Sequence, residues 1–142
     1  MAVSISKQLM VEATMENMEQ VIGLVEEILD DAECPMKIRM KIVVCVEELY
    51  VNVVNYAYGD KVGLCTLEVE AGEQNEKGYV RITLRDSGVP FDPLSREEPD
   101  ISLSADDREI GGLGIFMVKK IMDRVEYNYE MNENILTMEK NW

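Results

Sequence analysis

Between Lys37 and Tyr58 the chain reads KIRMKIVVCVEELYVNVVNYAY, and this stretch constrains the fold more than any other. Ile38, Ile42, Val46, Leu49, Val53 and Tyr56 recur at spacings of three and four, the stripe of an amphipathic helix packed on a core. Pro35 fits the first turn of that helix, and Gly59-Asp60 ends it. Glu48 and Asn52 are four residues apart and Asn55 lies one turn on, so the three share one face, roughly 100° from the Leu49 stripe. A carboxylate there can orient or deprotonate a hydroxyl, and a neutral amide oxygen can ligate a hard cation such as Mg²⁺. An ordinary solvated face with i,i+4 contacts fits the same three residues, and the helix alone leaves both readings open.

The flanking sequence supplies a sheet. Residues 3–13 alternate and carry β-branched side chains, which predicts an opening strand at a sheet edge. From Thr14, a candidate cap, TMENMEQVIGLVEEILDDAE follows helical spacing. It contains no Lys or Arg, and its acidic outer face reads as solvated surface. Leu64 to Glu70 and Tyr79 to Leu84 read as an antiparallel pair whose hairpin turn is GEQNEKG. Ile115 to Met122 resumes a helical stripe, and Val125 to Met131 with Ile135 to Glu139 make a closing hairpin around Asn132-Glu133-Asn134. The intervening stretch, about 92–112, is rich in Pro, Gly, Ser and charge, and is expected to act as a lid. The whole of 1–142 is read as a single domain.

Composition removes several classes of function. A net charge of -14 without any cluster of Lys and Arg argues against a nucleic-acid binder. Three cysteines, Cys34, Cys45 and Cys65, lack C-x-x-C spacing and suit reduced thiols acting as small hydrophobes. No charged-then-apolar leader and no apolar run near 18 residues occurs, so neither a signal peptide nor a membrane span is expected, and the predicted location is the cytoplasm. Histidine is absent. A Ser-His-Asp triad, a Cys-His pair, a His-ligated zinc site and phosphohistidine chemistry are therefore all unavailable within the chain.

Two further segments carry chemistry. Arg85-Asp86-Ser87-Gly88 sits where a strand ends, followed by Phe91-Asp92-Pro93. Asp-Ser-Gly is an ordinary turn sequence, yet a carboxylate at a strand end, with a glycine two residues on, can also accept a hydrogen bond from an exocyclic amine such as adenine's. Gly111-Gly112-Leu113-Gly114 opens a helix, where backbone N–H groups and the helix dipole favour an anion; a flexible hinge is the alternative. Neither a P-loop nor a dinucleotide fingerprint is present.

Taken together, Glu48 to Asn52 (ELYVN) continuing to NYAY, Asp86 to Pro93 (DSGVPFDP) and Gly111 to Tyr127 (GGLGIFMVKKIMDRVEY) resemble the N box, G1 box and G2 box of the histidine-kinase-like ATPase superfamily. Within it the chain most resembles the stand-alone anti-sigma-factor serine/threonine kinases of bacteria, over about residues 5–140. The resemblance implies an α/β two-layer sandwich, with a mixed, mostly antiparallel sheet covered on one face by helices. ATP and Mg²⁺ would lie between the helical layer and the lid. Position by position it implies Glu48 as general base, Asn52 as Mg²⁺ ligand and Asn55 near the nucleotide. Asp86 would read adenine with Gly88 giving room beneath the base. Gly112, Leu113 and Gly114 would wrap the phosphates, and Arg108 would reach the terminal phosphate.

The family implies as acceptor a serine or threonine on an anti-anti-sigma factor, with a sigma factor as second partner and a homodimer as the assembly. No nucleic acid and no membrane enters that expectation. A nucleotide-gated binding module with little or no phosphoryl transfer and a scaffold without nucleotide are the alternatives. Retention of Glu48 disfavours the former, and the joint presence of three boxes disfavours the latter.

Overall fold

The computed structural model describes residues 4–95 and 112–142. Strand β1 (Ser4–Glu12) leads through a 3-10 turn (Met15–Asn17) into α1 (Met18–Asp31) and α2 (Met36–Tyr56). Strands β2 (Leu64–Gln74) and β3 (Lys77–Asp86) follow, then a second 3-10 turn (Pro93–Ser95), α3 (Gly112–Ile121), β4 (Arg124–Glu130) and β5 (Glu133–Asn141). The described strands form one sheet in the order β1-β2-β3-β5-β4. All its pairings are antiparallel, so the parallel pairing that a mixed sheet would contain does not occur among them.

Period-two alternation decides which face is covered. Cys65, Leu67, Val69 and Ala71 of β2 and Val80, Ile82 and Leu84 of β3 point inward and are buried, as are Leu136 and Met138 of β5. Against them lie Val21, Val25, Ile28 and Leu29 of α1 and Ile42, Val46, Leu49 and Tyr50 of α2, all nearly inaccessible. Each such side chain contributes roughly 1.5–3 kcal/mol on burial. Of the expected α2 stripe, Ile42, Val46 and Leu49 sit in the core, joined there by Cys45 and Tyr50, while Ile38 and Val53 are only partly buried against it. The outer face is polar and carries ion pairs, such as Arg81 with Glu70 and Glu139. The two-layer sandwich expected from the sequence is the fold observed.

Three local expectations need correction. Thr14 makes no side-chain cap bond, and α1 proper starts only at Met18 after the 3-10 turn. Buried Tyr50 anchors that junction instead: its hydroxyl donates to the Thr14 carbonyl (2.7 Å) and accepts from the Thr14 N–H (3.2 Å). The β2–β3 turn is not the seven-residue GEQNEKG. It is Asn75-Glu76, with φ of 55° and 66°, and the strands continue through the flanking residues. The closing hairpin likewise turns on Met131-Asn132, at φ of 52° and 64°, so Glu133 and Asn134 belong to β5. Two consecutive left-handed residues match the right-handed twist of a tight hairpin, which explains why both turns are so short. The three cysteines are free and buried, and desolvation raises the thiols of Cys45 to about 11 and Cys65 to about 12.

Candidate functional site

The inward rows of β3 and β5 change chemistry at one end. Val80, Ile82 and Leu84 lead to Asp86, and Met138 and Leu136 lead to Asn134, where the alternation would otherwise place another apolar side chain. The register sets Asp86 opposite Asn134. Both are buried, at 7% and 6% exposure, and the Asn134 amide donates to Asp86 Oδ1 at 2.8 Å. Gly88 N–H donates to the same oxygen at 3.0 Å. Burial is the main reason the Asp86 carboxyl sits above the ordinary carboxylate range; the nearby Glu133 charge pushes the same way, and the hydrogen bonds from Asn134 and Gly88 oppose it.

Above this pair the C-terminal half of α2 makes the opposite wall. Leu49, Asn52 and Ala57 line a pocket together with Asp86, Phe91 and Asn134, with about 410 Å³ of empty space counted to its open mouth. The lining is largely apolar with a few convergent polar groups, the composition of a small-molecule site. Phe91 stacks on Tyr56 with centroids 5.3 Å apart. The turn after β3 leans directly on the end of α2: Val89 N–H donates to the Ala57 carbonyl at 2.8 Å. A Cβ on Gly88 would stand 2.1 Å from that carbonyl oxygen, so only glycine allows the approach. Tyr58 pins the other side, its hydroxyl accepting from Ser87 N–H (2.8 Å) and donating to the Leu64 carbonyl (2.5 Å).

Helix α3 begins with Gly112-Leu113-Gly114 in its first turn. It crosses α2 so closely that a Cβ on Gly114 would stand 2.2 Å from Glu48 Oε2. Glu48 therefore lies against a glycine-led helix start, where unpaired backbone N–H groups and the helix dipole favour negative charge. Lys119 donates to the Leu94 carbonyl at 3.0 Å, tying α3 to the turn before residue 96.

The structure thus brings Asn52 and Asp86 to one pocket, sets Gly88 in the adjoining turn against Ala57 with its N–H on Asp86, and sets Glu48 beside Gly114. Asn55, on the same helix, is exposed and lies outside the pocket lining. Gly112 and Leu113 open α3, while Arg108 and most of the expected lid fall outside the described residues. Asn134, read from the sequence as a turn residue, is the buried partner of Asp86. The apolar alternation Leu136, Met138, carried back two residues, is the signal that points to it.

The chain is 31% identical over 98 residues to the serine-protein kinase RsbW of Listeria monocytogenes, and 30% identical over 98 residues to that of Listeria innocua. Each alignment covers 66% of this chain and 60% of the relative, so the match spans about three-fifths of the curated relatives' length. The fold is that of a crystal structure of RsbU and RsbW domains from Mycobacterium tuberculosis, with a TM-score of 0.64 at 17% identity, covering 96% of this chain and 32% of that one. The profile of the histidine kinase-like ATPase domain matches residues 11–140. On that match the chain belongs to the histidine kinase-like ATPase domain family.

Proposed function

We propose that the chain binds Mg-ATP and acts as an anti-sigma factor with protein serine/threonine kinase activity toward an anti-anti-sigma partner, regulating transcription by partner switching. One observation carries the reading: a buried carboxylate, Asp86, at the floor of an apolar pocket whose other wall carries Asn52. Such a carboxylate accepts a hydrogen bond from the adenine amine, and the apolar walls enclose the ring. The phosphates then extend toward Asn52 and the N-terminus of α3.

The Asn52 amide oxygen, on the pocket wall, would hold a hard cation together with the ligand's own phosphates. Mg²⁺ bound in this way neutralises phosphate charge. Phosphoryl transfer demands mainly positioning, and Glu48, one turn before Asn52, would accept the proton of an incoming serine or threonine hydroxyl. Among the described residues no helix is long and apolar enough to cross a membrane. Strand β1 forms one edge of the described sheet, with β2 as its partner, and that edge is where a homodimer could add strands.

Calorimetric titration with ATP and GTP, each with and without Mg²⁺, tests the site. Selective, Mg²⁺-dependent ATP binding is expected, and absence of binding refutes it. Transfer is tested with labelled ATP and a purified anti-anti-sigma protein. Glu48→Ala is expected to reduce transfer by at least about 100-fold, the contribution typical of a general base, while ATP affinity stays within about twofold. Equal loss of both would remove Glu48 from that role. ATP binding with no transfer by the wild type would leave a nucleotide-gated binding module.

A further inference from the structure

A carboxamide has two N–H donors and two acceptor lone pairs, and in Asn134 all four are engaged. Its Nδ2 donates to Asp86 Oδ1 and to the Val89 carbonyl, both at 2.8 Å. Its Oδ1 accepts from the Phe91 N–H at 3.1 Å and from the Tyr127 hydroxyl. Asn134 therefore has no valence left for a ligand, although it lines the pocket. Phe91 lines the pocket, Val89 lies exposed two residues before it in the same turn, and Asp86 is the pocket's buried acceptor.

Asp86 Oδ1 receives both Asn134 and Gly88, whereas Oδ2 accepts no hydrogen bond among the described residues. The titratable groups around this carboxylate offer no help. Glu133 repels it; the Cys65 thiol, opposite it in the register with β2, stays protonated; Tyr58 and Tyr127 are raised by burial. Asp86 forms no ion pair among the described residues.

We infer that Asn134 is a positioning residue that sets the purine selectivity of the pocket: it fixes Asp86 through Oδ1, which leaves Oδ2 as the acceptor offered to the ligand, and it locks the 87–91 wall through Val89 and Phe91. This rests on the ATP reading above. An acceptor so fixed favours an exocyclic amine, as on adenine C6. A carbonyl at that position, as on guanine, sets oxygen against oxygen in a desolvated site. A polar group that is buried and oriented discriminates far better than one that can turn away.

The test measures ATP and GTP affinity between pH 5 and 8 for the wild type, Asn134→Leu, Asn134→Asp and Tyr127→Phe. Asn134→Leu is expected to weaken ATP about 10- to 100-fold, narrow the ATP/GTP ratio, and move the acid limb of ATP binding to higher pH, because Asp86 loses one of its two donors. Asn134→Asp, of nearly the same shape, sets two carboxylates together and moves that limb further still, so it decides the matter if the leucine variant fails to fold. Tyr127→Phe leaves the Asn134–Asp86 bond in place, and its acid limb stays where the wild type's is. Parallel loss of ATP and GTP affinity with an unmoved acid limb would reduce Asn134 to a structural role and overturn the inference. Wild-type protein that binds neither nucleotide would overturn the ATP reading itself. In that event carbon NMR titration of the Asp86 carboxyl still decides whether Asn134 controls this group: an upward shift in Asn134→Asp supports the control, and an unchanged midpoint refutes it.

Discussion

Strand β3 is closed off in two different ways at its two ends. At Gly78 it pairs with Trp142 through reciprocal backbone hydrogen bonds of 3.0 and 2.9 Å, and the indole lies over the glycine. At Asp86 it meets Asn134, and the chain turns away under the end of α2. The ladder is the same antiparallel ladder throughout. The first end covers the backbone with an aromatic ring and buries no charge. The second buries a carboxylate whose desolvation opposes folding at neutral pH. A costly group at only one end of an otherwise uniform strand is what the proposed ligand site would require, since a ligand, rather than the fold, would then select the residue.

The largest break in the comparison is expected from Gly88→Ala. The new Cβ would meet Ala57 O, C and Cα at 2.1, 2.5 and 2.7 Å, all backbone atoms, so either the turn or the end of α2 must move. A loss of about 3 kcal/mol in denaturant unfolding, with nucleotide binding abolished, is the expected outcome. An alanine variant of wild-type stability would mean that the turn does not rest on α2.

Asp86→Asn separates stability from binding. The folded-state carboxyl is raised, so its favourable contribution is fully present below the ordinary carboxylate value and is lost as pH rises through the folded value. At pH 7 the wild type bears that loss and the asparagine variant does not. The variant, whose side-chain oxygen can still accept from Asn134 and Gly88, should unfold at an equal or higher temperature than the wild type. That advantage should shrink as pH falls through the raised value. Nucleotide affinity should fall about 30- to 100-fold, the worth of a hydrogen bond to a charged acceptor. In the wild type, ATP affinity should weaken over the same acidic range. A destabilised variant with unchanged affinity would reverse the contrast between the two ends.

How much of this was legible in the sequence also divides along the chain. The stripe of α2 announced itself because one helix buries one face, and the three boxes announced the family because each is contiguous. Asn75-Glu76 and Met131-Asn132 lack the glycine that usually signals a two-residue hairpin, so the local pattern predicts the first turn too long and the second too late. That error carried Asn134 out of its strand. Its partnership with Asp86 spans 48 residues and depends on the register of β3 with β5, which no local pattern encodes. Glu48 was visible as a polar helical residue, but its closeness to Gly114 required the crossing of α2 and α3.

Gly78→Ala is the smallest perturbation and the sharpest test of the comparison. Its Cβ would also stand 2.1 Å from a neighbour, as in Gly88→Ala, but here the atoms are Nε1, Cε2 and Cδ1 of the Trp142 ring. A side chain can rotate where a carbonyl cannot. Gly78 carries no left-handed backbone angle, so alanine fits the strand and removes about 0.4–1 kcal/mol of unfolded-chain entropy. Loss of the ring contact offsets much of this gain, and net stability should change by less than about 1 kcal/mol. Trp142 is the only tryptophan, so its fluorescence reports the displacement directly. A red shift with unchanged nucleotide affinity would establish that this end closes the sheet and does nothing for the site. A fall in affinity comparable to that of Asp86→Asn would show that the two ends are coupled along β3, and the division drawn between them would fail.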